Sequence, residues 1–295
     1  MNRFAVLSSG FSLNLWTDLH TMWQYAFMQH AFEAGSVVAI VAGIVGYFVV
    51  IRRLAFAAHA LSHAGFAGAA GAVLININPL FGLLIFTGGG GLAMAALGKK
   101  AASRDVQIGN VLAFMLGLGV LFISLYKGYA TEAYSLLFGE ILGISSGDVT
   151  LTWIAALVII SAVAVLYRRL LFTSLDEDVA EARGISMLGM NIIFMLLISL
   201  ALSISVQVVG VLLIFALLVT PASIAQRLTQ HPLQGIGVSV AVALAATWIG
   251  LFTSYYVPYP VSFFIVSVVF AAYLIVRLVQ YLQHNSKVQP ASDQA

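Results

Sequence analysis

The chain has no cysteine, only six prolines and only 8% charged residues in a length of 295. Each shortage excludes something. Without cysteine there is no disulfide and no thiolate metal site, and the redox character of the surrounding compartment cannot be read. Soluble domains carry about 25% charged residues, so a water-soluble globule is excluded as well. Thirteen Lys and Arg against eleven Asp and Glu leave a net charge of only +2, too small a bias to recruit nucleic acid. No glycine-rich run leads into GKS or GKT, since Lys99 and Lys100 are followed by Ala101. The chain therefore has no P-loop with which to hydrolyse ATP. What is present is 61% hydrophobic sequence, a mean hydropathy of +1.03 and 26 glycines. That balance suits closely packed membrane helices rather than the alternating strands of a barrel. The expected fold class is an all-α polytopic membrane bundle.

A span needs roughly 20 apolar residues. Such stretches fall near 32–51, 56–76, 80–98, 107–126, 149–167, 186–205, 207–226, 235–256 and 261–280, giving about eight or nine transmembrane helices. Arg52, Arg53, Lys99, Lys100, Arg104, Arg168, Arg169, Arg183, Arg227, Arg277 and Lys287 then lie on one side, and only Arg3 and Lys127 on the other. Positive charge concentrates on the cytoplasmic side, which places the N-terminus outside and the C-terminus in the cytoplasm. The first residues, MNRFAVLSSGFSLNLW, lack the long apolar core and small-residue cleavage site of a secretory signal, so no processing is expected. Residues 1–25, with Trp16, Trp23 and Tyr25 among polar neighbours, read as an interfacial segment. Residues 26–283 form the transmembrane domain, and 284–295 read as a polar, disordered tail.

Two connections depart from the apolar pattern. The outer segment Thr131 to Asp148 is too short and polar to span, so it is expected to lie at or re-enter the outer surface, where Glu140 and Asp148 are weak candidates for meeting a delivery protein. The inner segment 174–185, SLDEDVAEARGI, carries the densest charge in the chain. Ser174 is the expected cap, Asp176, Glu177 and Asp178 complement the helix dipole, and Gly184 ends the helix.

His59 and His63 lie in HALSHAGFAGAAGA, one helical turn apart within otherwise apolar sequence. Ionisable groups in hydrocarbon are expensive and usually functional, and a spacing of four stacks both imidazoles on one helix face. Counting from Arg53 at the inner interface puts His63 about 15 Å into a core about 30 Å thick. A second copy across a two-fold axis would supply two more imidazoles, and four nitrogens suit tetrahedral Zn²⁺. Imidazole also accepts Mn²⁺ and Fe²⁺. The competing structural role is hydrogen bonding between helices. HALSH differs from the zinc-protease pattern HExxH because Ala60 stands where the glutamate base belongs, which argues against proteolysis. Gly65, Gly68 and Gly71 clear a smooth strip after the histidines, Gly88 to Gly91 read as a hinge, and Pro221 as a kink beside Thr220 and Ser223.

Taken in order, FMQHAF, GYFVVIRRLAF with HALSHAGFAG, LLFGEILGISSGD, LDEDVAEARGI and VVGVLLIFALLVTPASIAQR resemble the ABC-3 family, the membrane permeases of bacterial ABC importers for zinc, manganese or iron, across about residues 26 to 280. The resemblance implies a type II importer in the bacterial inner membrane. It would be a homodimer of permeases on two cytoplasmic ATPases, fed by an extracytoplasmic metal-binding protein. In that reading 174–185 is the coupling helix in the ATPase groove, with Asp176, Glu177, Asp178, Ala180 and Gly184 as its docking surface. No permanently bound cofactor is implied; Zn²⁺ or Mn²⁺ is the cargo. Family permeases carry Asp and His four residues apart at the start of the second span. Here His63 matches the histidine, His59 replaces the aspartate and Ala58 replaces the preceding glycine. The change removes a fixed negative charge and makes binding more pH-dependent, because protonated imidazole cannot ligate.

The expected function is ATP-driven import of a divalent transition metal, the ion passing the histidine pair by alternating access. Three alternatives are a permease for a siderophore or cobalamin, a proton-coupled secondary metal carrier, and a structural or signalling subunit. The first should not need paired histidines, the second would work without an ATPase, and the third predicts that neither histidine affects metal content.

Overall fold

A computed structural model describes residues 20–96, 101–126, 137–257 and 259–288. Among them the helices of six residues or more are α1 (Ala26–Ile51), α2 (Ala55–Leu74), α3 (Pro79–Ala96), α4 (Ala101–Leu125), α5 (Ser146–Leu175), α6 (Glu177–Ala182), α7 (Met187–Leu228), α8 (Pro232–Tyr256) and α9 (Val261–Val288). No strand occurs among the described residues. All but α2 and the short α6 contain a stretch long and apolar enough to cross a membrane, seven in all. Helix α2 falls short because two histidines, a serine and three glycines dilute its apolar residues. It compensates by being enclosed: α3, α4 and α7 pack around it, and most of its residues are buried. A helix shielded by protein rather than lipid need not be uniformly hydrophobic.

Helices α1 and α7 form the centre, packed on each other, with α3, α5, α8 and α9 also against α7. Small residues set the spacing. Gly68 of α2 and Gly82 of α3 stand backbone against backbone, and a Cβ on either would strike the carbonyl of the other. Close approach of this kind is how membrane helices gain packing energy without a hydrophobic driving force. Thr87 of α3 joins Ser203 of α7 through a 2.8 Å hydroxyl pair, while Ser199 Oγ donates to the Thr87 carbonyl at 2.8 Å. All three side chains are buried, so the network satisfies polar groups that hydrocarbon would leave stranded.

Several expectations change. The spans at 186–205 and 207–226 are the two halves of the continuous run α7, broken at Gly210, whose φ of 80° and ψ of 164° are non-helical. Pro221 lies inside that run, whose non-helical residue is Gly210. The glycines from Gly88 to Gly91 lie within the helical run of α3, and Gly91 admits Ser199, whose Oγ would sit 2.6 Å from an added Cβ. Ser174 belongs to the last turn of α5, where its hydroxyl donates to the Leu170 carbonyl at 2.5 Å. Asp176 is the cap of α6 instead, its Oδ1 accepting from the Val179 amide at 3.0 Å. Helix α9 continues to Val288, beyond the expected start of the tail. Trp16, Lys99, Lys100, Lys127 and Thr131 lie outside the described residues.

Candidate metal path

The turn from α1 into α2 begins the site. Arg52 donates to Asn191 Oδ1 of α7 at 2.5 Å and lies over the Phe194 ring, 4.9 Å from its centroid, which ties the start of α2 to the central helix. From there His59 and His63 fall about 6 and 12 Å along a helix about 30 Å long. Their rings meet edge to face, with centroids 4.7 Å apart and planes at 89°. Both residues are half-buried. The Nδ1 atom of each is enclosed and pairs with no polar group among the described residues. An enclosed ring nitrogen without a partner costs about 1–3 kcal/mol. Two such nitrogens lie on one face of the helix.

Phe215, in the half of α7 beyond Gly210, lies against His59 with ring centroids 4.5 Å apart and planes tilted by 54°. Its place in VLLIFALLVTP gave no hint of this contact, because nothing in a run of apolar residues says which one meets a histidine. Ser62, between the two histidines, donates to the Ala58 carbonyl at 3.0 Å and so is committed to its own helix. No third His, Cys, Asp or Glu joins the pair among the described residues. Among the described residues the pair thus offers two ring nitrogens with no further imidazole, thiolate or carboxylate beside them.

The acidic segment also takes a defined shape. Asp176 and Asp178 are exposed, Ala180 is fully buried, and Val179 is 45% exposed. Gly184, at φ 77°, ends α6 with its amide donating to Glu181 O at 2.9 Å, while the Ile185 amide reaches Ala180 O at 3.1 Å. This is the paired closure that a left-handed residue after a helix allows. The helix itself starts at Glu177. At another part of the molecule Glu140 is exposed and lines a cavity of about 320 Å³ with Phe138, Tyr259, Pro260 and Ser262. Asp148 is engaged within the fold. Its Oδ2 accepts from Ser145 Oγ at 2.6 Å and its Oδ1 from Gln207 Nε2 of α7 at 3.0 Å.

Known proteins place this architecture. The chain is 33% identical over 238 residues to the manganese transport system membrane protein MntC of Listeria monocytogenes, covering 80% of this chain and 85% of that one. It is 28% identical over 225 residues to the high-affinity zinc uptake system membrane protein ZnuB of Haemophilus influenzae, covering 76% and 86%. Among solved structures, PsaBC from Streptococcus pneumoniae in complex with Fab matches with a TM-score of 0.80 at 28% identity, over 89% of this chain and 95% of that chain. A family model matches residues 24–280, nearly all of the helical bundle, and the chain belongs to the ABC 3 transport family.

Proposed function

We propose that this chain is the membrane permease of an ATP-driven importer of divalent transition metal ions, Zn²⁺ or Mn²⁺, with His59 and His63 as its contribution to the path. The observation that carries the reading is the pair of enclosed, unpartnered Nδ1 atoms one turn apart on a helix held inside the bundle. Family membership and the manganese and zinc transport named for its relatives support it.

Transport asks the path to replace hydration well enough for an ion to enter, yet weakly enough for it to leave. Two imidazoles from each of two protomers would meet that need without a fixed negative charge to trap the ion. The chain would act as a homodimer on two cytoplasmic ATPases in the bacterial inner membrane, with its C-terminus in the cytoplasm. Helix α6 would dock in the ATPase groove through Asp176, Glu177 and Asp178. Ala180, buried against the body, and Gly184, closing the helix, would transmit its movement. Rigid-body rocking of the protomers would then expose the path to one side at a time. An extracytoplasmic metal-binding protein would load the path, with Glu140 at its open cavity as the stronger docking candidate and Asp148 as the weaker.

The test is purification with the cognate ATPase, followed by metal-dependent ATP hydrolysis and elemental analysis. Hydrolysis stimulated by the metal-loaded binding protein, together with metal accumulation, supports the reading. Failure to associate with any ATPase overturns it.

A further inference from the structure

Selectivity among divalent cations is decided by donor type, donor number and room for water. On α2 the chain offers two neutral nitrogen donors and no carboxylate, because the helix contains no Asp or Glu. No acidic side chain from another element makes up the difference among the described residues. The hydroxyl between the histidines, Ser62, is buried and bonded to Ala58 O. Among the described residues no carboxylate oxygen therefore joins the histidine pair. Phe215 adds a second bias by covering one side of His59 with an aromatic ring at 4.5 Å. Carbon there limits the waters that a six-coordinate cation would keep.

Manganese is a hard ion that favours carboxylate, carbonyl and water oxygen in octahedral sites, and it stands at the weak end of the divalent series. Zinc takes imidazole readily and accepts four-coordinate geometry. Resting on the import function proposed above, we propose that His59 is a specificity-determining residue that makes this path favour Zn²⁺ over Mn²⁺. Its all-nitrogen pairing with His63 would lower the barrier for zinc, whereas manganese would exchange oxygen ligands for poorer nitrogen ones.

The experiment uses the complete importer, permease with its ATPase and binding protein, in cells lacking other zinc and manganese importers. Radioactive Zn²⁺ and Mn²⁺ are supplied at equal concentration. Every variant receives the same binding protein, so a changed ratio belongs to the permease. The wild-type chain should show a zinc-to-manganese uptake ratio at least about tenfold above that of His59→Asp, which introduces an anionic oxygen donor. If His59→Asp fails to accumulate in the membrane, His59→Asn, of similar size and with a neutral oxygen donor, should lower the ratio in the same direction. A zinc-to-manganese ratio unchanged in a folded variant overturns this proposal. Uptake of both metals that persists in His63→Ala instead overturns the import path itself.

Discussion

Gly139 and Gly210 meet backbone to backbone, each in a conformation that side chains rarely adopt, with φ of 77° and 80°. A Cβ on Gly210 would lie 2.5 Å from the carbonyl carbon of Phe138 and 2.6 Å from the carbonyl oxygen of Leu137. The segment before α5 is thus seated in the corner of α7, and Ser262 of α9 holds it there by donating to Phe138 O at 2.6 Å. The same corner precedes the half of α7 that carries Phe215 against His59.

Gly210→Ala should destabilise the bundle by about 1–3 kcal/mol from backbone strain alone, with about 1–3 kcal/mol more from the steric conflict. Thermal unfolding in detergent checks it, and a melting temperature equal to wild type would contradict the geometry. Gly237→Ala is the control, because a Cβ there meets nothing within 4 Å.

His63→Ala should abolish metal accumulation while leaving membrane abundance and assembly intact, since a half-buried imidazole is replaced by a good helix former. Whole-cell metal content and recovery of the purified complex give the two readouts. Wild-type uptake would remove the histidine from the path.

Phe215→Ala should weaken metal transfer by between about twofold and tenfold, the equivalent of losing an aromatic contact of about 0.5–1.5 kcal/mol. Phe215→Leu retains most of the carbon but not the ring, and should fall between. The dependence of uptake rate on the concentration of metal-loaded binding protein is the measurement; identical curves for all three proteins would show that the ring does not position His59.

Asp176→Ala removes the cap of α6, a loss of about 0.5–2 kcal/mol that a six-residue helix cannot easily absorb. Asp178→Lys leaves the cap in place and reverses an exposed charge. Both should reduce copurification of the ATPase and metal-stimulated ATP hydrolysis. Loss in the first with none in the second would mean that helix order matters and the acidic face does not.

The histidine pair was legible because a polar residue in an apolar run is conspicuous and four-residue spacing fixes a shared helix face. Phe215 was not, since one phenylalanine among many large apolar residues has no distinguishing local chemistry. The start of α6 is ambiguous in the sequence for a related reason: Ser174 and Asp176 are both good caps, and only the continuation of α5 to Leu175 decides between them. Pro221 is conspicuous in the sequence because proline lacks an amide, whereas the non-helical corner at Gly210 depends on a tertiary neighbour that meets a positive φ.

Composition and periodicity by themselves determined the membrane class, the approximate spans, the acidic connection and the two imidazoles on one helix face, because hydropathy and helical spacing are local properties. Only the tertiary structure decided that α2 is sheltered by protein, that Gly210 turns α7 against Gly139, and that Phe215 covers His59. Those contacts join residues distant along the chain, and the sterics of close approach exist only once the helices have packed.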